Sequence, residues 1–316
     1  MKKIIFGIFS ILFILNGSSK YAGEFITGSM DPRSLALGNN ILTSFSDATA
    51  AYYNPSFMPE LEGKSLFISH SERFEGLVNQ EFIGFTTKMD NHYLGFTLIR
   101  LGVDDIPLTK LDSNEGGVSE NNRPSISKYV DDNEIALGVS YGFKYNEKFN
   151  FGGSAKILYK GFEEESAYGV GFDISALYKF DEKNLFAAKI QDVTTSSLFW
   201  TTGSSEFIKP SIYFGGEYNL FWEYMNANVK LLGGGRIGTE GYDRNSDLSF
   251  SEFDLTFNGG VEFLISEVLI LRGGTEMERW GCGVGVTMYG AELDYSFKPN
   301  NNLGDTHKVS LSYNWK

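Results

Sequence analysis

The residues that could support chemistry are charged side chains that recur on alternate positions of long segments. Paired Asp and Glu side chains in such a set could act as acid and base in hydrolysis. No Ser and His pair accompanies them, so ion pairs that hold a packed segment are the favoured interpretation. We therefore predict no catalytic site. The charged candidates for one shared interior face are Lys156, Lys160, Asp173, Lys179, Glu217, Lys230, Asp254, Glu262 and Arg272.

The candidate metal ligands of the chain do not form a recognisable site. The three histidines, His70, His92 and His307, lie far apart, and none has Cys, Asp or Glu at a metal-ligand spacing. Residues 112–116 resemble the start of a calcium loop, but Arg123 stands where such a loop needs Glu. The sequence therefore predicts neither a bound metal nor a cofactor.

Two glycine clusters, residues 233–235 and 281–285, could be mistaken for phosphate loops. Neither ends in Lys followed by Ser or Thr, and neither opens a helix. On the interior face of a sheet, glycine instead makes room for a packed segment or a ligand. We expect that role here.

Charge and cysteine content limit the class of protein. The chain of 316 residues has a formal net charge of −13, and the loss of Lys2 and Lys3 with a leader would make it −15. This acidic balance argues against a nucleic-acid partner. The lone Cys282 excludes an intramolecular disulfide.

The first residues have the layout of a secretory signal peptide. Lys2 and Lys3 precede the apolar run 4–15, and a short polar stretch ends at Ser19. We predict cleavage after Ser19. The predicted organisation is a signal peptide over residues 1–19, an N-terminal hatch over 20–63 and a barrel over 64–316.

Strict alternation of apolar and polar residues dominates the rest of the chain. Ile135–Tyr145 and Tyr168–Phe180 each place apolar side chains on one face and glycine, Ser, Asp or Lys on the other. These segments run to about a dozen residues, as membrane-spanning strands need, whereas strands of soluble sandwiches have about 5 to 6. We expect Ile174→Arg, on the apolar face, to impair assembly and Ser175→Arg to be tolerated.

The whole pattern predicts an all-β fold, an antiparallel transmembrane β-barrel of about fourteen strands. The short connections follow even-numbered strands, and the three long ones, 102–132, 192–208 and 236–250, follow odd-numbered strands. This parity is typical of bacterial barrels, and it predicts that both chain ends lie on the periplasmic side. The predicted strands are 64–71, 79–88, 92–101, 133–145, 148–161, 166–180, 184–191, 209–219, 224–235, 251–264, 267–275, 280–288, 291–298 and 305–315.

The segment Met30–Leu61 lacks the alternation. Asp47 can cap a short Ala-rich helix of about two turns, Ala48–Tyr53, and Pro55 forces Asn54 out of helical geometry. Small residues flanked by aromatic ones suit a segment packed inside something larger. A capped surface helix is the alternative.

This segment resembles the N-terminal signature of the PorV/PorQ family of outer-membrane proteins, distant relatives of the fatty-acid transporter FadL. The resemblance implies that the segment enters the barrel lumen as a hatch. The matching positions are Arg33, Leu35, Gly38, Asp47, Ala48, Ala50, Ala51, Tyr52, Asn54 and Pro55.

The C-terminal strand resembles the signal that the outer-membrane assembly machinery recognises. It places Val309, Leu311, Tyr313 and Trp315 on one face. We therefore expect residence in a bacterial outer membrane, with membrane lipid and the assembly machinery as partners.

Three functions are compatible with these features. The resemblance implies an accessory role in type IX secretion, in which the barrel binds exported proteins or the secretion translocon. FadL-like transport of a hydrophobic ligand across the outer membrane is the alternative, and a plain structural barrel is the third. The polar interior face disfavours a long apolar conduit, whereas the long loops favour a protein partner.

Overall fold

The computed structural model describes residues 22–39, 42–112, 117–181, 183–239, 246–277, 279–300 and 303–315. The predicted signal peptide, with its cleavage position, lies outside these ranges. So do most of the calcium-loop-like residues 112–116.

The described residues form seventeen strands in one sheet, of which fourteen run round a barrel and three are short additions in loops. The short strands, Ser196–Trp200, Ser205–Ile208 and Leu248–Phe250, carry no number here. The numbered strands are β1 Lys64–Arg73, β2 Val78–Met89, β3 His92–Lys110, β4 Ser125–Lys144, β5 Phe149–Phe162, β6 Glu165–Lys179, β7 Asn184–Gln191, β8 Ser211–Trp222, β9 Ala227–Gly238, β10 Phe253–Ile265, β11 Leu269–Glu276, β12 Arg279–Met288, β13 Ala291–Lys298 and β14 Thr306–Trp315.

The sheet closes on itself. β14 pairs with β1 in antiparallel register, with Trp315 opposite Lys64 and His307 opposite Glu72. Closure leaves no exposed edge along the barrel wall. The predicted fourteen-stranded antiparallel barrel is confirmed.

The two ends of the barrel differ in their connections. At the turn end the strands are joined by short turns such as residues 90–91 and 289–290, and at the loop end by all the long connections. The predicted 102–132 loop is wrong in extent, because β3 continues to Lys110 and β4 begins at Ser125. Alternating Ile, Pro, Leu and Thr after Val103 let this pair continue as a hairpin beyond its neighbours.

The outer surface of the wall is apolar. Leu137 and Val139 on β4 are each 51% exposed. The next residue, Ser140, is 1% exposed and faces inward. Such an alternation of apolar outside and polar inside is typical of strands that face lipid. Among the described residues, none of the helices combines the length and apolar character needed to cross a membrane.

The N-terminal segment fills the lumen. It contains the 3-10 helix Glu24–Ile26, the helices α1 Pro32–Ala36 and α2 Ala50–Tyr53, and the 3-10 helix Pro55–Glu60. Phe25, Ala48 and Ala51 are fully buried against the inner wall. The segment is therefore a hatch, as predicted, and not a surface helix.

The predicted helix at residues 48–53 is too long. It has one turn and begins at Ala50, because the Asp47 carboxylate accepts from the backbone N–H of Thr49 and holds a turn ahead of the helix. Its end is as predicted: Asn54 leaves helical geometry at φ −152° before Pro55.

A charge on the outer face should impair assembly. Ile174 on β6 is 48% exposed on the apolar surface, so Ile174→Arg should cost about 2 to 4 kcal/mol near the bilayer midplane. Heat-modifiable migration of refolded protein on gels measures the assembled fraction.

Ser175→Arg is unsuitable as its control, because the expectation that it is tolerated is wrong. The Ser175 hydroxyl is buried and accepts from the backbone N–H of Ser56 at 3.0 Å, so an arginine would displace the hatch. Asn258→Arg is the better inward control, since Asn258 lines an open cavity. Equal assembly of Ile174→Arg and Asn258→Arg would contradict the assignment of faces.

Candidate functional site

The hatch, residues 22–39 and 42–63 of the described chain, is bound to the wall by hydrogen bonds to its backbone. Ser69 Oγ donates to the carbonyl of Met30 at 2.8 Å, and Ser140 Oγ donates to the carbonyl of Ala51 at 2.6 Å. Lys189 Nζ donates to the carbonyl of Tyr52 at 2.9 Å. Short polar side chains on the inner face of the wall thus hold a segment that has little regular structure of its own.

Arg33 is the centre of the main ion-pair network. Its Nε lies 2.7 Å from Glu262 Oε2 on β10, and its Nη2 lies 2.9 Å from Glu262 Oε1. Arg33 also donates to Ser44 of the hatch, through Nη2 to Oγ at 2.6 Å. One hatch arginine therefore joins two parts of the hatch to the wall.

The network continues along the wall through Arg272 on β11. Arg272 Nε lies 2.7 Å from Glu262 Oε2, its Nη2 lies 2.7 Å from Glu292 Oε1, and its Nη1 pairs with Asp294. Lys230 Nζ approaches Glu262 Oε1 at 3.9 Å. We call Arg33, Lys230, Glu262, Arg272, Glu292 and Asp294 the Arg33 cluster; its three cations and three carboxylates balance.

A second balanced group lies on β5 and β6 and at the end of β7. We call its two cations and two carboxylates, Lys156, Asp173, Lys189 and Asp192, the Lys156 cluster. Lys156 Nζ is 3.0 Å from Asp173 Oδ1 and 2.8 Å from Asp192 Oδ1. Lys189 Nζ is 3.2 Å from Asp173 Oδ2. Because ion pairs are buried here, removing one partner would leave an uncompensated charge.

The other predicted interior charges also face the lumen. Lys179 Nζ binds Glu60 of the hatch at 2.8 Å near the turn end, and Lys160 Nζ binds Glu134 at 2.6 Å. Asp254 lies 3.8 Å from Arg236, and Glu217 accepts from Asn219 at 2.8 Å. All nine candidates lie inside, but eight of them divide between several ion pairs, Glu217 has an amide partner, and the nine form no single site.

The remaining signature residues shape the hatch itself. Asp47 accepts from the Thr49 hydroxyl at 2.5 Å, and burial raises the pKa of Asp47 to about 6. Tyr52 OH donates to the carbonyl of Ile26 at 2.6 Å. Asn54 accepts from the backbone N–H of Ser56 at 3.2 Å and donates to the carbonyl of Leu42 at 2.5 Å, before Pro55 redirects the chain.

Glycines on the wall make room for the hatch backbone. A Cβ added to Gly274 would lie 2.4 Å from the carbonyl carbon of Leu37, and one on Gly281 would lie 2.5 Å from the carbonyl oxygen of Leu35. Gly38, at φ +69°, meets the backbone of Thr275 just as closely. The role expected for the 281–285 cluster is therefore present at Gly281, whereas a Cβ on Gly233 would meet open space.

Gly274→Ala should displace the hatch, because the clash is with backbone, and overpacking typically costs about 1–3 kcal/mol. Limited proteolysis of the folded protein measures how readily the hatch is cut. Gly233→Ala is the matched control, and equal cleavage of the two variants would contradict the packing.

A cavity of about 300 Å³ lies above the hatch at the loop end. Its floor includes Ser29, Leu42 and Tyr53 of the hatch, and its walls come from strand ends on several sides. Six Lys or Arg side chains and two Glu side chains line it. This is the size of a small-molecule site, although the lining is more charged than is usual.

Sequence reasoning missed several of these interior charges. Asp192, Lys189, Glu292, Asp294 and Lys308 are all buried in the lumen. For Glu292 and Asp294 the sequence does contain a signal, because these residues alternate with Leu293 and Tyr295, which face outward. Asp192 follows β7 in a turn, where alternation gives no signal.

The predicted assembly signal lies on β14. Val309, Leu311 and Tyr313 are 46%, 54% and 47% exposed on the outer face, and Trp315 is half-buried. Recognition by assembly machinery stays a prediction. In the described part of the chain, no group of three or more His, Cys, Asp or Glu could hold a metal ion.

No protein-family model and no curated protein sequence matches this chain.

Solved structures do match, over nearly the whole length. The Ralstonia pickettii toluene transporter TbuX superposes with a TM-score of 0.60 at 11% identity, covering 90% of this chain and 98% of that one. The Pseudomonas putida toluene transporter TodX gives a TM-score of 0.59 at 11% identity, covering 90% and 96%. A Pseudomonas aeruginosa FadL homologue gives 0.54 at 10% identity, covering 92% and 100%.

This chain thus shares the β-barrel fold of these transporters and of the FadL homologue. The likeness in sequence is too low to carry more than the fold. The narrower PorV/PorQ resemblance rests on sequence motifs at the two ends of the chain, residues 33–55 and 293–307, and none of these structures shows it.

Proposed function

We propose that this protein is a bacterial outer-membrane channel that passes small hydrophobic molecules when the hatch rearranges. The observation that carries the proposal is a FadL-like barrel whose lumen is closed by a separate, polar-bonded segment. Two of the matching structures are described as toluene transporters, which supports a hydrophobic substrate class.

The way the hatch is held supports a movable closure. Its backbone is bound through a few Ser and Lys side chains, and it contributes no strand to the sheet. The hatch can therefore shift without breaking barrel pairing. The outer face supports lipid surroundings, and the short turns would then lie on the periplasmic side.

Uptake of radiolabelled toluene by cells that lack a barrel of this kind tests the proposal. We expect the intact protein to raise the uptake rate over cells that carry the assembly-impaired Ile174→Arg variant. Equal rates in the two strains, with the intact barrel present in the outer-membrane fraction, would overturn the transport proposal. Recovery of the protein as a soluble periplasmic form would overturn the location.

An accessory role in type IX secretion, through binding of exported proteins or the translocon, is the second candidate. The β3–β4 hairpin favours it, because it rises beyond the wall and exposes Val118, Ile126 and Tyr129 at 72%, 54% and 59%. Removal of this hairpin should abolish secretion and leave toluene uptake intact. The signature residues, in contrast, are accounted for by packing within the hatch and against the wall.

A further inference from the structure

The cavity above the hatch has an unusual charge for this protein. Its lining contains six cations and two carboxylates, an excess of four positive charges, in a chain whose formal net charge is −13. Several of these cations have partners in the wall, such as Lys189 with Asp173 and Arg236 with Asp254. Three of the six cations come from β1, β13 and β14, which are neighbours in the wall.

Among these cations, Lys308 on β14 is held by a neutral partner. It is 1% exposed, and its Nζ donates to Gln80 Oε1 at 2.7 Å. Within the described residues, no carboxylate forms an ion pair with it. A buried ammonium costs free energy unless an opposite charge lies close by.

The surroundings of Lys308 add like charge. Arg73 and Lys298 act on it unfavourably, and the opposing carboxylate is Asp31 of the hatch. Asp31 does not line the cavity, and its oxygens accept from the Tyr53 hydroxyl at 2.7 Å and from the backbone N–H of Ser34 at 3.1 Å. Among the described residues, no carboxylate that lines the cavity forms an ion pair with Lys308.

The neighbouring cations are only weakly neutralised. Lys298 Nζ lies 3.4 Å from Glu276 Oε2, and Arg73 stacks on the Phe74 ring at 5.4 Å. Arg73 interacts with Glu24, whose side chain is exposed. Over the ranges that the structure describes, no carboxylate forms an ion pair with Arg73. An arginine near two lysines is suited to an oxyanion, since its planar fork can bind two oxygens at once.

We propose that this cavity binds a small soluble oxyanion of the phosphate or dicarboxylate class, held by Arg73, Lys298 and Lys308. The barrel wall separates the cavity from lipid, so the ligand comes from solution rather than from a lipid headgroup. The bound anion neutralises the wall and joins the hatch, through the cavity floor at Ser29, to β1 and β14. The site is independent of the proposed hydrocarbon transport, because its chemistry is polar.

Isothermal titration calorimetry with inorganic phosphate, on the full-length protein in a non-ionic detergent at low ionic strength, tests the site. We expect one phosphate per chain, weaker binding as sodium chloride is added, and a higher melting temperature with phosphate present. Titration with succinate distinguishes a dicarboxylate preference from a phosphate preference. This titration measures binding and not transport. A negative result would therefore not bear on the proposed channel function.

Variants locate the site. Arg73→Gln and Lys308→Gln should each weaken phosphate binding about tenfold, as expected for the loss of one charge-assisted contact, and Arg73→Lys should retain part of it. Lys110→Gln is the matched control, since Lys110 is exposed on the β3–β4 hairpin away from the cavity. Absence of binding, or an unchanged Kd in both Gln variants, would overturn the proposal.

Discussion

Arg33→Ala should loosen the hatch while the barrel stays assembled. The substitution removes one of three cations from the Arg33 cluster and leaves its three carboxylates with an excess negative charge. Breaking a buried pair by removing one partner costs about 3–5 kcal/mol, because the remaining charge is buried without compensation. Protease sensitivity of the hatch and leakage of small sugars into proteoliposomes should both rise.

A second substitution separates charge from packing. Glu262→Gln removes one carboxylate, so Arg33→Ala with Glu262→Gln returns the cluster to two cations and two carboxylates. We expect the double variant to leak less and to be cut more slowly in the hatch than Arg33→Ala alone, because the two effects are not additive in a double-mutant cycle. Arg123→Ala, at an exposed loop position, is the control for removing an arginine. If Arg33→Ala leaked no more than this control, the cluster would not hold the hatch.

The barrel was predictable because its physics is local. In a strand such as Tyr168–Phe180, each second side chain must suit lipid or the lumen, so alternation alone identifies the face. The strand count followed from the lengths of the segments and the parity of their connections. The extension of β3 and β4 into a hairpin was not predicted. Above the wall both faces of these strands are in contact with solvent, so alternation no longer indicates which face is buried.

The hatch was predictable as an element but not in its contacts. Asp47 and Pro55 fix local turns, and those turns are present. Which carboxylate receives Arg33 depends on how the hatch is placed relative to β10, and no local rule sets that. Likewise the cationic wall of the cavity collects Arg73, Lys298 and Lys308 from three strands that meet only after the barrel closes.

Deletion of Gly28–Tyr53 should convert a closed barrel into a leaking one. The wall keeps every strand-to-strand pairing, including β14 with β1, because the hatch adds no strand to the sheet. In the full-length protein the carboxylates and lysines of the wall face the hatch. In the deletion variant they would be solvated by water, so no uncompensated charge would be buried. The variant should therefore still insert.

Conductance in planar bilayers measures the result directly. We expect the full-length protein to stay closed and the deletion variant to show steady channels that pass small polar solutes. Deletion of Gly117–Glu120, in the exposed connection of the β3–β4 hairpin, is the matched control and should stay closed. Besides an apolar patch around Phe67, Phe82 and Ile99, the lumen wall carries many Ser, Thr and charged side chains, so water and ions can enter an unplugged barrel. A closed state that survived the hatch deletion would mean that the long loops seal the barrel, and the hatch could not then be the gate.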